Sequence, residues 1–231
     1  MKRFLCGLFC ILLANSCSAD FVIVGYDTTN PNGANGDPSP DLPAADFPDF
    51  VTPLNLSRNL IDVTGNAGDP GLVPNQGIAF NSRDWSTSST LNLNSGDFIQ
   101  WGWSASSNQL DLTDMTIQYD RSGSGPERLA IMLSVDGGNQ FTQIFSDNFV
   151  DPSDETHTID LNAFDAVTSA TFRLYGYAAD SSGGTLDIEE IVEGGRRGIL
   201  VRGELSTVPE PASSLAFGVV VLGLVVRRGR R

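Results

Sequence analysis

From Trp85 onward the chain reads as a succession of short segments in which apolar and polar residues alternate, each cut off by a cluster of Gly, Asp, Asn or Ser. Period-two alternation puts every second side chain on one face of an extended strand, so each segment can bury one face and wet the other. A helix cannot use this pattern, because its apolar residues must recur every three or four positions. "SSTLNLN" (88–94) alternates, as does "DFIQWGWSA" (97–105), with Ile99, Trp101 and Trp103 on one face. "LDLTDMTIQYD" (110–120) alternates with one slip, which predicts a bulge. "RSGSGPE" then reads as a turn, "RLAIMLSV" as a strand and "DGGNQ" as a hairpin loop. "FTQIFSDNF", "THTIDLNAF", "ATFRLYGYAA", "GTLDIEEIVEG" and "GILVRGEL" continue in the same style. Many short strands joined by Gly/Asp turns predict an all-β fold, an antiparallel β-sandwich, over 85–206.

Residues 20–84 are different. They are rich in Gly, Pro, Asn and Asp, and read as a long loop after a first strand, Phe21–Tyr26, with short strands near Leu60–Val63 and Gly77–Phe80. The two ends differ again. Residues 1–19 have Lys2 and Arg3, an apolar stretch from Phe4 to Leu13, then small residues up to Ala19, the order of a secretory signal peptide. A lipobox ending at Cys17 would need a large aliphatic residue among Ala14, Asn15 and Ser16. All three cysteines, Cys6, Cys10 and Cys17, fall inside this leader, so the exported body would carry no disulfide, thiolate nucleophile or cysteine metal site.

The last residues, "VPEPASSLAFGVVVLGLVVRRGRR" (208–231), place a Pro-Glu-Pro triplet, an apolar run and a basic end in strict order. The run Ala212–Val226 is apolar on every side, and as a helix it would reach about 22 Å, short of a hydrocarbon core of about 30 Å. Arg227, Arg228, Arg230 and Arg231 would stay cytoplasmic by the positive-inside rule, giving a single transmembrane helix over 212–226 with the body outside. These three parts resemble the PEP-CTERM sorting tail of exported bacterial proteins. The resemblance implies sorting by an exosortase, a membrane protease, with Pro209, Glu210 and Pro211 as the recognition residues. It implies export, transient anchoring in the inner membrane, and a final place at the cell surface or in the extracellular matrix beside exopolysaccharide. Physically, the two prolines hold an extended stretch, the form a protease cleft accepts.

The segments "YDRSGSGPERLAIMLSVDGG" (119–138) and "ATFRLYGYAADSSGGTLDIEEI" (170–191) resemble jelly-roll domains of the galactose-binding type, a class with many carbohydrate-binding modules. That resemblance implies a sugar-binding face and, before the final apolar residues of the last strand, an acidic ligand for a structural calcium. Glu189 and Glu190 stand where such domains often have Asp.

Charge bounds the partners. Of 28 acids and 14 bases, removing 1–19 and 209–231 takes Glu210 and six bases, leaving 27 acids, 8 arginines and a net charge of −19. Such a body repels nucleic acid and anionic lipid, and suits a solvated surface or divalent cations. Glycan stacking has candidates in Trp85, Trp101 and Trp103, and in the strip Arg173, Tyr175 and Tyr177, which shares a strand face opposite Phe172 and Leu174. The alternative for each is burial in the sandwich or an ordinary outer face. Calcium has candidates in Asp27, Asn30, Asp37 and Glu189, although turn chemistry uses the same residue types. His157 is the only histidine, and no Gly-x-Ser-x-Gly elbow, histidine metal pair or phosphate loop is present. The sequence therefore points to a non-enzymatic, structural or glycan-associated surface protein. The alternatives are a polysaccharide-acting enzyme with paired carboxylates and a calcium-stabilised adhesion module.

Overall fold

In a computed structural model of the chain, the described residues are 20–28, 41–59, 62–63, 80–153, 155–189 and 198–206. The expected signal peptide, the loop residues Asn30 and Asp37, the Pro-Glu-Pro motif, the apolar run 212–226 and the terminal arginines lie outside them. The described residues form thirteen strands and no helix, and so contain no helix long and apolar enough to cross a membrane.

The strands are β1 (Phe21–Tyr26), β2 (Asp41–Leu42), β3 (Val51–Asn59), β4 (Asp62–Val63), β5 (Phe80–Arg83), β6 (Phe98–Ala105) and β7 (Leu110–Arg121). They continue as β8 (Pro126–Ser134), β9 (Thr142–Asp147), β10 (Glu155–Asp160), β11 (Ser169–Ala179), β12 (Leu186–Ile188) and β13 (Ile199–Leu205). Every pairing is antiparallel. One sheet runs β2-β3-β6-β11-β8-β9, and the other β1-β13-β7-β12-β5-β4 with β10 added to β7. Because β10 pairs with 114–119 of β7, β13 with 110–117 and β12 with 119–121, β13 and β12 share the edge opposite β10, end to end. The result is the antiparallel β-sandwich that the alternation predicts.

The N-terminal part is woven into both sheets. The first strand falls on Phe21–Tyr26 as expected, but β3 is a central strand of the six-stranded sheet although the sequence reads as loop there. The slip in 110–120 is a bulge: Asp114 faces Arg202 and Leu112 faces Gly203, so Thr113 is the extra residue.

"SSTLNLN" does not form the strand its alternation suggests. Its side chains satisfy the local backbone instead: Ser86 Oγ accepts from Ser88 N, Ser88 Oγ from Thr90 N, and Asn92 Oδ1 from Asn94 N. These short Ser and Asn side chains compete with a ladder, and the segment crosses the outer face of a sheet as irregular chain.

The core lies between the sheets and is built from the inward residues of both, among them Tyr26, Phe80, Ile99, Leu112, Ile117, Leu133, Phe172 and Leu174. Chain packing at its centre is close. A Cβ on Gly102 would sit 2.1 Å from the Ala170 carbonyl oxygen, and Gly102 has φ +157°, so only glycine fits where β6 meets β11. The Tyr26 hydroxyl spans this point, donating to the Leu54 carbonyl, lying 3.1 Å from that of Gly102 and accepting from Gly102 N at 3.3 Å.

Candidate functional site

The tryptophans are core residues. Trp85, Trp101 and Trp103 are 2%, 0% and 1% exposed, so none presents a face to a sugar ring. Trp101 and Trp103 alternate inward from β6 beside Ile99, and Trp101 stacks on Phe172 of β11. Trp85 donates from Nε1 to the Ser82 carbonyl at 2.9 Å and packs where a Cβ on Gly176 would approach its ring to 2.8 Å. Trp85 lies in a polar segment, yet its large ring is worth more to the core than to water.

The strip on β11 is on an outer face, as its alternation requires. Arg173, Tyr175 and Tyr177 point away from the core of Ala170, Phe172 and Leu174. Two of the three are covered there. Tyr175 forms a small second cluster with Phe98 and Met132, against which Leu91 and Phe141 pack. The segment 86–97 straps over it: Tyr175 donates to the Leu93 carbonyl at 3.4 Å, Arg128 to that of Ser89 at 3.1 Å, and Ala178 N to that of Ser88 at 2.8 Å. Tyr177 is 9% exposed.

Arg173 remains half-buried. Its guanidinium lies between two rings, 4.4 Å from the Phe98 centroid and 4.3 Å from that of Phe141, and its Nε donates to Gln100 Oε1 at 3.0 Å. Contact with two rings restrains the fork, and its Nη groups have no hydrogen-bond partner among the described residues. The sequence named Arg173 but not Phe98, Phe141 or Gln100. The signal for Gln100 was the pairing of β6 with β11, which places it directly opposite Arg173.

A second constellation lies on the other sheet. Asn81 of β5, Asp187 of β12 and Asp120 of β7 stand side by side at one register level, on the outward side of strands whose neighbouring residues Phe80, Ile188 and Tyr119 point inward. Carboxylate oxygens of Asp120, Asp187 and Glu189 lie within 4.8 Å of one another. Asn81 Oδ1 and Asp187 Oδ1 are shielded from solvent and accept no hydrogen bond among the described residues. Burial, then the charges of Asp120 and Glu189 and a hydrogen bond with Asp120, push the Asp187 carboxyl up to about 8, against a small opposing pull from Arg58. Oxygen-only donors with shielded, unsatisfied acceptors fit a hard divalent cation such as calcium. Of the residues expected for calcium, Glu189 belongs to this group. The loop carrying Asp27 reaches the same strand end, where Thr28 Oγ1 donates to the Glu189 carbonyl at 3.0 Å.

Residues 207–231 match the PEP-CTERM protein-sorting motif. The motif marks an exported protein that an exosortase sorts and processes at the membrane. No curated protein matches the chain. Among solved structures, family 29 carbohydrate-binding modules are similar. One variant is 9% identical over 84% of this chain and all of its own, with a TM-score of 0.36. A complex with cellulohexaose is 10% identical over 82% of this chain and 93% of the module, and a complex with mannohexaose 10% over 83% and 99%, both with a TM-score of 0.38. At such identities and TM-scores they say nothing about what this chain binds.

Proposed function

We propose that this exported PEP-CTERM protein ends at the cell surface or in the extracellular matrix, where its sandwich body associates with exopolysaccharide without catalysing a reaction on it. The observation that carries this reading is the Phe98–Arg173–Phe141 stack beside Gln100, on the outer face of the six-stranded sheet. A restrained guanidinium offers paired donors to sugar hydroxyls, and the flanking rings and amide add apolar and acceptor surface. With a body charge of −19, an acidic polymer would be repelled over the whole surface, so the glycan is a neutral one. The test is affinity electrophoresis of the full-length chain, held in mild detergent, through gels containing neutral or acidic polysaccharides. Retardation by a neutral polymer that drops at least tenfold in Arg173→Ala supports the reading. Equal migration of the two proteins in every gel overturns it.

A calcium-stabilised adhesion module is the second reading, favoured by the shielded oxygens of Asn81, Asp120 and Asp187 and by the adjacent Glu189 carboxylate. There the ion would offset the repulsion among three carboxylates and lock β5, β12 and β7 together. The two readings are compatible, since the sites lie on different sheets.

A further inference from the structure

His157, the chain's one histidine, takes no part in the two sites described above. Asp147 closes β9, an edge strand of the six-stranded sheet, and Glu155 opens β10, which pairs with β7 of the other sheet. Glu155 and His157 are two apart on β10 and so project to the same side, the inward one that Ile159 continues. One ligand-type atom each from Asp147, Glu155 and His157 falls within 4.8 Å of the others, and all three residues are half-buried. His157 Nε2 is shielded from solvent, stands 3.5 Å from Glu155 Oε2 and has no hydrogen-bond partner among the described residues.

The groups around this trio fix its members rather than compete for them. The imidazole stacks on Tyr119, with centroids 4.9 Å apart and planes at 15°, and Phe145 packs against it at 5.0 Å. Tyr119 donates its hydroxyl to Asp147 Oδ2 at 3.1 Å, and the Phe149 amide donates to Asp147 Oδ1 at 2.9 Å. Burial and the adjacent acids raise the Tyr119 phenol above its ordinary value, so it stays a donor at neutral pH. The connection between the two strands is itself pinned, because Arg121 Nε donates to the Val150 carbonyl at 2.6 Å. Outer groups that orient a histidine and a carboxylate in this way are what a metal centre needs beyond its ligands.

We propose that Asp147, Glu155 and His157 bind a first-row divalent metal ion, with Zn2+ the best match to one imidazole nitrogen and two carboxylates. Three protein ligands leave a fourth position for water or an external donor. The ion would tie the β9 edge of one sheet to the β10 edge of the other, a staple in an exported body that the sequence leaves without cysteine. It differs from the calcium reading in sheet position, in ligand chemistry and in preferred ion.

The experiment takes the full-length chain in detergent, strips it with a chelator, and follows Zn2+ by titration calorimetry and thermal unfolding, with Ca2+ as the hard-ion comparison. The expected result is uptake of one Zn2+ and, at a hundredfold excess over the dissociation constant, a rise in midpoint of roughly 5–10 °C. His157→Phe keeps the ring between Tyr119 and Phe145, so it should fold with the metal-free midpoint of the wild type and bind Zn2+ at least tenfold more weakly. Asp187→Asn should leave Zn2+ uptake unchanged. A wild type that takes up no Zn2+, a His157→Phe variant that binds equally well, or uptake lost with Asp187→Asn instead would each overturn the assignment.

Discussion

Trp101 and Phe172 stack face to face across adjacent strands, their ring centroids 5.5 Å apart and their planes 4° from parallel. They are directly paired in register, Phe172 of β11 against Trp101 of β6, and both are fully buried. Neighbouring strands thus place two large rings in the same layer at the middle of the six-stranded sheet, and the other sheet closes over them. Trp101→Ala removes a ring that the surroundings cannot refill, and should cost about 3–5 kcal/mol of unfolding free energy. Urea denaturation of the two proteins checks this; a loss below about 1 kcal/mol would mean that the ring is not in the core.

Gly102, between the two tryptophans, should tolerate no side chain. Its Cβ position is occupied by the Ala170 carbonyl oxygen at 2.1 Å and its φ of +157° disfavours other residues. Backbone cannot rotate away as a side chain can, so Gly102→Ala must push β6 from β11 or fail to fold. The expected result is a destabilisation of at least about 3 kcal/mol, or a protein without a cooperative transition, read by circular dichroism through a thermal ramp. A variant with the wild-type midpoint would show that the strands pair differently there.

The strap over the outer face makes a separate prediction. Tyr175 donates to the Leu93 carbonyl while its ring packs with Phe98, Met132 and Leu91. Tyr175→Phe deletes one long hydrogen bond and keeps the packing, at a cost of about 0.5–1.5 kcal/mol. Tyr175→Ala removes the ring as well, and should loosen 86–97 enough to raise amide exchange across that segment while β11 itself stays protected. Exchange unchanged in 86–97 would show that the segment is held by something else.

Why the sequence yielded the sheets more readily than the sites follows from the same residues. Strands β7 and β11 bury alternate residues over much of their length, which is legible as period two, whereas β8 is buried on both faces from Leu129 to Ser134 and reads as an apolar run. The turn "DGGNQ" was legible for its chemistry: Gly137 and Gly138 take positive φ, and Asp136 Oδ1 accepts from Asn139 N and Gln140 N. Strand β3 was hidden because Pro53 marks a strand as unsuited to a central position, yet it sits opposite Trp103 just before a break in register between Leu54 and Ser57. "SSTLNLN" misled in the other direction, since its alternation serves a strap that partly buries Leu91 and leaves Leu93 exposed.

The candidate sites were legible one member at a time. Arg173 stood out as a cation among aromatics, but its flanking rings come from Phe98 on the next strand and Phe141 at a hairpin, a pairing that only register creates. Trp101 and Trp103 had the residue type that sugars favour, and hydrophobic burial took them instead. Glu189 was visible from its place near a strand end, whereas Asp120 lies 69 positions earlier and joins it through the β7–β12 pairing.

The Asp187 carboxyl gives the body a characteristic response to pH. Folded, it titrates at about 8, while in the unfolded chain an aspartate titrates near 3.9. Between those values the native state holds a proton that the unfolded chain has released. This group's contribution is therefore full below about pH 4 and is lost as pH rises toward 8. Other acids of the body have their own slopes, so the informative quantity is the difference from Asp187→Asn, which keeps the shape and cannot ionise. In metal-free buffer, wild type should lose stability relative to this variant steadily from pH 5 to about pH 8.5, measured as urea midpoints. Millimolar calcium at pH 8 should reverse the order, because the ion displaces the proton and offsets the charges of Asp120, Asp187 and Glu189 together. Parallel pH profiles of the two proteins would show that Asp187 is not the group that holds the proton in the folded body. A calcium response that Asp187→Asn retains in full would place the ion elsewhere.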